Sequence, residues 1–243
     1  MGRIPTTDPM TEVVASRNRR ESLSVLGVTW VSFVLAIALA LPQPPDPTRL
    51  ILGGVLGAVI ISTGFWAASR CRTYSRQTGK ERTIRAGLSL LAGVALGLAL
   101  LCVLIALARI EPALRARFAG RAGEPHWRPW ALAFESSIIE EIVFRLFIMS
   151  LLAWILSKFA RLGSAPFALA WVFSTLLFGL AHLAPWLALT GPAPGLIAGV
   201  LALNGAGGLL FGWIFWRWGL PYAILCHAAG DVVIQSLAPR FLA

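Results

Sequence analysis

Long apolar segments alternate with short polar loops along most of this chain. Each segment is about 18–25 residues long, enough for a helix to cross a hydrocarbon core of about 30 Å. The seven segments are residues 23–41, 50–69, 86–108, 131–155, 165–189, 194–216 and 220–237. We therefore predict an all-α protein, a polytopic transmembrane helix bundle of about seven spans. A further element within the basic stretch 109–130 would raise the number to eight.

The polar and charged positions divide the chain into three predicted regions. Residues 1–22 are polar and include the basic run RNRR, so we expect an unstructured N-terminal tail. Residues 23–129 contain three apolar segments without charge and are expected to form a transmembrane scaffold. Residues 130–239 carry ionisable groups inside apolar segments and are expected to form the core that holds the functional site. The first segment ends in ALALPQ, which resembles a signal-peptidase site. The polar stretch before this segment is long for a signal peptide, so we expect an uncleaved membrane anchor.

Composition and charge narrow the class of protein. Hydrophobic residues make up 57% of the chain and charged residues 13%, a balance typical of an integral membrane protein. The net charge of +10 comes from basic residues scattered through short loops, where they orient helices, so we expect no nucleic-acid partner. Their distribution favours a cytoplasmic N-terminus and an external C-terminus. The small size and the Arg- and Ala-rich composition favour the cytoplasmic (inner) membrane of a bacterium.

The segment ESSIIEEIVFRLFIM places four charged side chains inside an apolar run. Each charge at the bilayer centre costs about 2.5–3.5 kcal/mol on insertion scales. On an α-helix, Glu141 and Arg145 lie four residues apart on one face and are expected to form an ion pair. Glu140 is turned by about 100° from Glu141 and is left without that partner. The pair therefore has a structural explanation, Glu140 does not, and Glu135 stays unexplained.

Two further segments carry histidines at helical spacing. FGLAH places Phe178 and His182 on one face, and HAAGD places His227 and Asp231 on another. A hydrogen-bonded structural histidine explains each of these motifs taken alone. Ionisable groups on three separate helices favour a common site.

One unpaired glutamate, two histidines and an aspartate in a dry helical site suit two kinds of chemistry. A carboxylate sheltered from water is a good base, so it can activate water for amide hydrolysis while histidines donate to an oxyanion. The same groups are also a common zinc-binding set. Neither the GxSxG motif of serine hydrolases nor the HExxH motif of zincins is present, and the three cysteines show no CxxC spacing.

Together the motifs EExxxR, FxxxH and HxxxN/D resemble those of the CPBP family of intramembrane proteases, also called the CAAX-protease and bacteriocin-processing (Abi) family. The resemblance covers about residues 130–235. It implies that Glu140 activates water with help from His182, and that His227 and residue 231 stabilise the oxyanion. Glu141, Arg145 and Phe178 then support the site.

The resemblance leaves two points open. Relatives in eukaryotes usually carry Asn where this chain has Asp231, so Asp231 is either protonated, an orienting partner of His227, or a metal ligand. The family has been interpreted both as metalloproteases and as metal-independent glutamic proteases. The cofactor is therefore zinc or none, and the candidate ligands are Glu140, His182 and His227.

The leading hypothesis is an intramembrane endopeptidase, a hydrolase that cuts a membrane-embedded or lipidated peptide in the lipid bilayer. A sorting tail, pheromone or bacteriocin precursor is the expected kind of substrate in a bacterium. One alternative is a non-catalytic immunity or scaffold protein of the same fold, which has no need for an unpaired Glu140. Another is a proton-coupled transporter, which the clustered acids and the lack of an inverted repeat disfavour.

Overall fold

The helices of the protein lie where the apolar segments predict them. The computed structural model describes residues 9–40, 46–71, 78–121, 123–159, 165–190 and 194–242, and no strand occurs among them. The elements are α1 (Pro9–Ala40), α2 (Pro47–Cys71), α3 (Gly79–Leu107), α4 (Pro112–Ala119), α5 (Arg128–Glu140), a π-helical segment (Glu141–Met149), α6 (Ser150–Phe159), α7 (Ala165–Thr190), α8 (Pro194–Trp218) and α9 (Leu220–Leu242). The predicted all-α membrane bundle is confirmed.

Five described helices, α2, α3, α7, α8 and α9, are long and apolar enough to cross a membrane by themselves. α1 adds a shorter apolar stretch, Ser24–Leu39. The fourth predicted segment forms the continuous run of α5, the π segment and α6. It differs from the five apolar helices because the predicted segment contains four charged side chains. The predicted number of seven spans is therefore approximate.

The N-terminal region is more ordered than its polarity predicted. We expected an unstructured tail over residues 1–22, but α1 begins at Pro9; residues 1–8 lie outside the described residues. Proline suits the first position of a helix, and no glycine or proline interrupts the chain from there to Gly27. The polar stretch therefore continues the first apolar helix. The division of the chain into tail, scaffold and core stays a prediction.

The loop between α3 and α5 contains a short helix that the apolar pattern did not show. α4 has eight residues, too few to cross a membrane, and its Leu114 and Phe118 side chains are buried. They pack in one apolar cluster with Leu101, Leu196 and Leu242. α4 thus covers one end of the bundle and forms part of the cavity described below.

α3 and α9 approach each other so closely that their backbones touch. A Cβ atom on Gly97 would lie 2.7 Å from the carbonyl oxygen of Gly230, and one on Gly93 would collide with the carbonyl of Cys226. Glycine at these positions removes the side chain that would keep the helices apart, as in other closely packed membrane helices. The contact sets the position of the stretch of α9 that carries His227 and Asp231.

Candidate active site

The wide turns of the π segment lie at the first of the three motifs. α5 ends at Glu140, and the π segment begins at Glu141 and includes Arg145. The sequence predicted one regular α-helix here, and this is the main local correction. Hydroxyl groups satisfy two carbonyls of the segment: Ser174 donates to Phe144 over 2.7 Å, and Ser150 donates to Arg145 over 3.2 Å. π-helical turns in α-helices are frequent at functional sites.

Glu141 is fully buried and joins two of the motifs. Its Oε2 lies 3.5 Å from Nε of Arg145, which agrees with the predicted ion pair. Its Oε1 lies 3.0 Å from Nδ1 of His227, which donates this hydrogen bond because an ionised carboxylate only accepts. One carboxylate therefore holds both a guanidinium of its own helix and an imidazole of α9.

Arg145 is buried beneath an aromatic ring. Its guanidinium lies 4.6 Å from the ring centre of Phe178, and Nη2 donates to the carbonyl of Gly208 over 3.4 Å. The Phe178 ring also packs against the His182 ring, with 4.6 Å between centres. The Phe178 ring therefore contacts both the Arg145 guanidinium and the His182 ring, and its supporting role stays a prediction.

Glu140 faces both histidines. Its Oε1 lies 3.5 Å from Nε2 of His182, and its Oε2 lies 3.7 Å from Nε2 of His227. In both rings Nδ1 is already used as a donor, to the Phe178 carbonyl over 2.8 Å in His182 and to Glu141 in His227. Each Nε2 is thus left to exchange a proton with Glu140 or with a group lying between them.

Asp231 approaches the same ring nitrogen from the side of α9. Its Oδ2 lies 3.7 Å from Nε2 of His227 and accepts a hydrogen bond of 2.8 Å from the hydroxyl of Ser136. The His227 ring is stacked on Phe211, with 4.3 Å between centres. His227 is therefore fixed by Glu141 at one nitrogen and by a flat aromatic surface, while its second nitrogen faces two carboxylates.

These groups open into one cavity of about 320 Å³. It contains the four residues predicted to be catalytic and is otherwise walled largely by leucines and aromatic rings. Part of that wall comes from residues assigned to the scaffold: Leu100, Leu104, Leu107, Leu114 and Phe118. The predicted catalytic residues thus share one space, and the roles assigned to them stay predictions. Glu135 lies on α5, partly exposed, and is not among the described residues lining the cavity.

The predicted ligand set for zinc does not form a metal site in this arrangement. Among the described residues, no three His, Cys, Asp or Glu side chains are grouped so that they hold a metal ion. We therefore derive no chemical step through a metal.

Sequence reasoning missed four polar residues of the cavity: Ser136, Arg121, Asn204 and Gln235. Ser136 precedes Glu140 by four residues and Gln235 follows Asp231 by four, so helical spacing alone was a usable signal for both. Arg121 carried no such signal, because it lies in the loop after α4 and reaches the cavity only through the packing of α4 on α9.

Comparison with known proteins supports the resemblance. Residues 123–233 match a family model described as type II CAAX prenyl endopeptidase Rce1-like, a span that contains all three motifs. The match confirms the resemblance to the CPBP/CAAX-protease family and supports, in general terms, an intramembrane endopeptidase of the CAAX type. No curated protein and no solved structure matches the chain.

Proposed function

We propose that this protein is an intramembrane endopeptidase of the glutamic type, in which water activated by Glu140 and His182 hydrolyses a peptide bond. The observation that carries the proposal is the contrast between two adjacent glutamates. Glu141 is neutralised by Arg145 and His227, whereas Glu140 faces the ring nitrogens of both histidines inside a cavity. A scaffold gains nothing from the second arrangement, because the Glu140 carboxylate has no arginine partner among the described residues and instead meets two ring nitrogens at 3.5 and 3.7 Å.

In the first step, Glu140 takes a proton from a water molecule held between its carboxylate and Nε2 of His182. The water oxygen then bonds to the carbonyl carbon of the scissile peptide, and the carbonyl oxygen becomes an oxyanion. Because Nδ1 of His227 already donates to Glu141, Nε2 donates to this oxygen when the ring is the doubly protonated imidazolium, which lies beside the carboxylates of Glu140 and Asp231. A donor fixed in place before the reaction stabilises the oxyanion without a cost of reorganisation.

In the second step, the proton held by Glu140 passes to the peptide nitrogen, and the carbon–nitrogen bond breaks. The products are a carboxylic acid and an amine, and Glu140 returns to its carboxylate form. No covalent bond to the enzyme forms at any stage. Glu141 and Arg145 take no part in these transfers; they hold His227 and the π segment in position.

The proposed substrate is a membrane-associated or lipidated peptide. The cavity joins a small polar site to a wall made mostly of leucine and aromatic side chains, which suits an apolar peptide segment presented from the bilayer. The family that the chain matches is described as prenyl endopeptidases. In the inner membrane of a bacterium, the lipidated or hydrophobic tail of a sorting signal, pheromone or bacteriocin precursor fits the same description.

Peptide termini in membranes of the host test the proposal. Strains would carry the wild-type chain, Glu140→Gln or Glu135→Gln at equal expression, and their membrane fractions would be compared by terminal peptide sequencing. Glu135→Gln is the matched control, because it makes the same chemical change on the same helix away from the cavity. We expect a set of termini that disappears with Glu140→Gln and remains with Glu135→Gln.

Two results together would overturn the proposal. One is identical termini in all three strains. The other is rescue of a deletion phenotype by Glu140→Gln as fully as by the wild-type chain. Both would favour the alternative of a non-catalytic immunity or scaffold protein.

A further inference from the structure

Arg121 is a cation held at the wall of the cavity by two partners. Its Nε lies 3.2 Å from Oε2 of Glu124, and Nη1 donates to Oε1 of Gln235. Glu124 is shared, since its Oε1 also lies 3.6 Å from Nε of Arg128. Arg121, Glu124 and Arg128 together therefore carry an excess of one positive charge next to the cavity.

The third nitrogen of Arg121 is left without a partner. Nη2 is buried and makes no hydrogen bond within the described part of the chain, although a guanidinium is a fork of five donors suited to carboxylates. A buried donor on a charged group costs free energy when it is unsatisfied. The Arg121 side chain is only 19% exposed and lines the same cavity as Glu140. An anionic group within the cavity would satisfy Nη2.

The partner that holds Arg121 lies one helical turn along α9 from a residue of the candidate site, a spacing that suits a peptide. Gln235, which binds Arg121, follows Asp231 by one helical turn on α9, a rise of about 6 Å. About two extended residues cover that length. Glu140 and Asp231 repel an anion from the site itself, so Arg121 is the place in the cavity where a negative end of the substrate is favoured.

We propose that Arg121, positioned by Glu124 and Gln235, binds the C-terminal carboxylate of the peptide whose bond is presented to Glu140. This inference rests on the proposed function and adds to it a residue that determines how the substrate is oriented. A lipid headgroup is the competing anion. Arg128, 52% exposed, is open to headgroups, whereas Arg121 is 19% exposed and lines the cavity with Leu114 and Phe118 of α4.

Binding of a carboxylate probe to an inactive variant tests this role. The probe is an N-palmitoylated fluorescent hexapeptide of apolar residues, made as the free acid and as the C-terminal amide. The full-length Glu140→Gln protein is placed in phosphatidylcholine nanodiscs, and the Kd of each probe is measured with Arg121 intact, as Arg121→Gln, or as Arg121→Lys. Arg128→Gln is the matched control, because it removes an equal charge from the same cluster outside the cavity.

We expect the Kd of the free acid to be about tenfold or more below the Kd of the amide. The acid gains a hydrogen bond between charged groups at Arg121 that the amide cannot make. Arg121→Gln should abolish this preference, Arg121→Lys should keep part of it, and Arg128→Gln should leave it unchanged. A purely structural Arg121 would not distinguish the acid from the amide.

Three results would overturn the role of Arg121. The first is equal binding of acid and amide with Arg121 intact, a comparison that does not depend on the folding of any Arg121 variant. The second is a preference that survives Arg121→Gln. The third is loss of the preference when phosphatidylglycerol replaces phosphatidylcholine, which would assign Arg121 to a headgroup. Because the probe is not cut in these variants, the result stands apart from the Glu140-dependent termini that test proteolysis.

Discussion

Oε1 of Glu141 and Nδ1 of His227 lie 3.0 Å apart, although 86 residues separate them in the chain. The same carboxylate lies 3.5 Å from Nε of Arg145 on its other oxygen. Glu141 therefore ties the π segment to α9 and fixes the orientation of His227. The adjacent residues Glu140 and Glu141 therefore have different predicted roles. A substitution of Glu141 should affect stability, whereas a substitution of Glu140 should affect proteolysis.

Glu141→Gln should destabilise the protein, whereas Glu140→Gln should not. Removing one member of a buried ion pair leaves the other charge uncompensated and typically costs about 3–5 kcal/mol. The structure predicts that cost for Glu141, whose partner Arg145 is buried, and not for Glu140, which has no arginine partner within salt-bridge distance among the described residues. Thermal unfolding of the two variants in detergent measures the difference, and equal melting temperatures would contradict it.

The replacement Asp231→Asn should preserve proteolysis, because a side-chain amide of the same shape can donate to the oxyanion and can still bond to Ser136. Asp231→Ala should reduce kcat by about 10²-fold, because it removes the group beside Nε2 of His227, and a displacement of about 1 Å in a catalytic group can cost that much. Rates on a cleaved peptide identified from the membrane comparison provide the measurement. If the Asn variant is as inactive as the Ala variant, the carboxylate of Asp231 itself is required.

The contact between α3 and α9 should be sensitive to a single methyl group. Gly97→Ala places a Cβ 2.7 Å from the carbonyl of Gly230 and forces α9 to move, and overpacking of this kind costs about 1–3 kcal/mol. A shift of about 1 Å in catalytic groups can lower activity by about 10²-fold. Activity should fall in Gly97→Ala while insertion into the membrane continues. Gly87→Ala on the same helix is the control, because nothing lies within 4 Å of its added Cβ; equal activity of both variants would show that the contact is not critical.

Chelation of metals should leave the rate of proteolysis unchanged. The prediction follows from the arrangement of the donor side chains, since no three of the described His, Cys, Asp and Glu residues are grouped as ligands. Activity would be measured after dialysis against EDTA and 1,10-phenanthroline, with metal content determined in the same samples. Loss of activity that zinc restores would require the His and Glu side chains to rearrange around a metal.

Local patterns in the sequence indicated most of the helices and the candidate residues of the site. A segment that must satisfy its backbone inside lipid forms a helix, so hydropathy located the apolar helices. It missed the start of α1 at Pro9 and the short α4. Charges inside such helices are costly and therefore identify function, which led to Glu140, His182, His227 and Asp231. The spacing of Glu141 and Arg145 also predicted their ion pair.

Only the tertiary structure decided how the helices meet. The π segment, the bond from Glu141 to His227, the contact of Ser136 with Asp231 and the reach of Arg121 into the cavity all depend on distances between elements far apart in the chain. Helical periodicity shows which face a side chain occupies, but not which face of another helix lies opposite. That pairing follows from close packing, as at Gly93 and Gly97 against α9, where the absence of a side chain sets the separation.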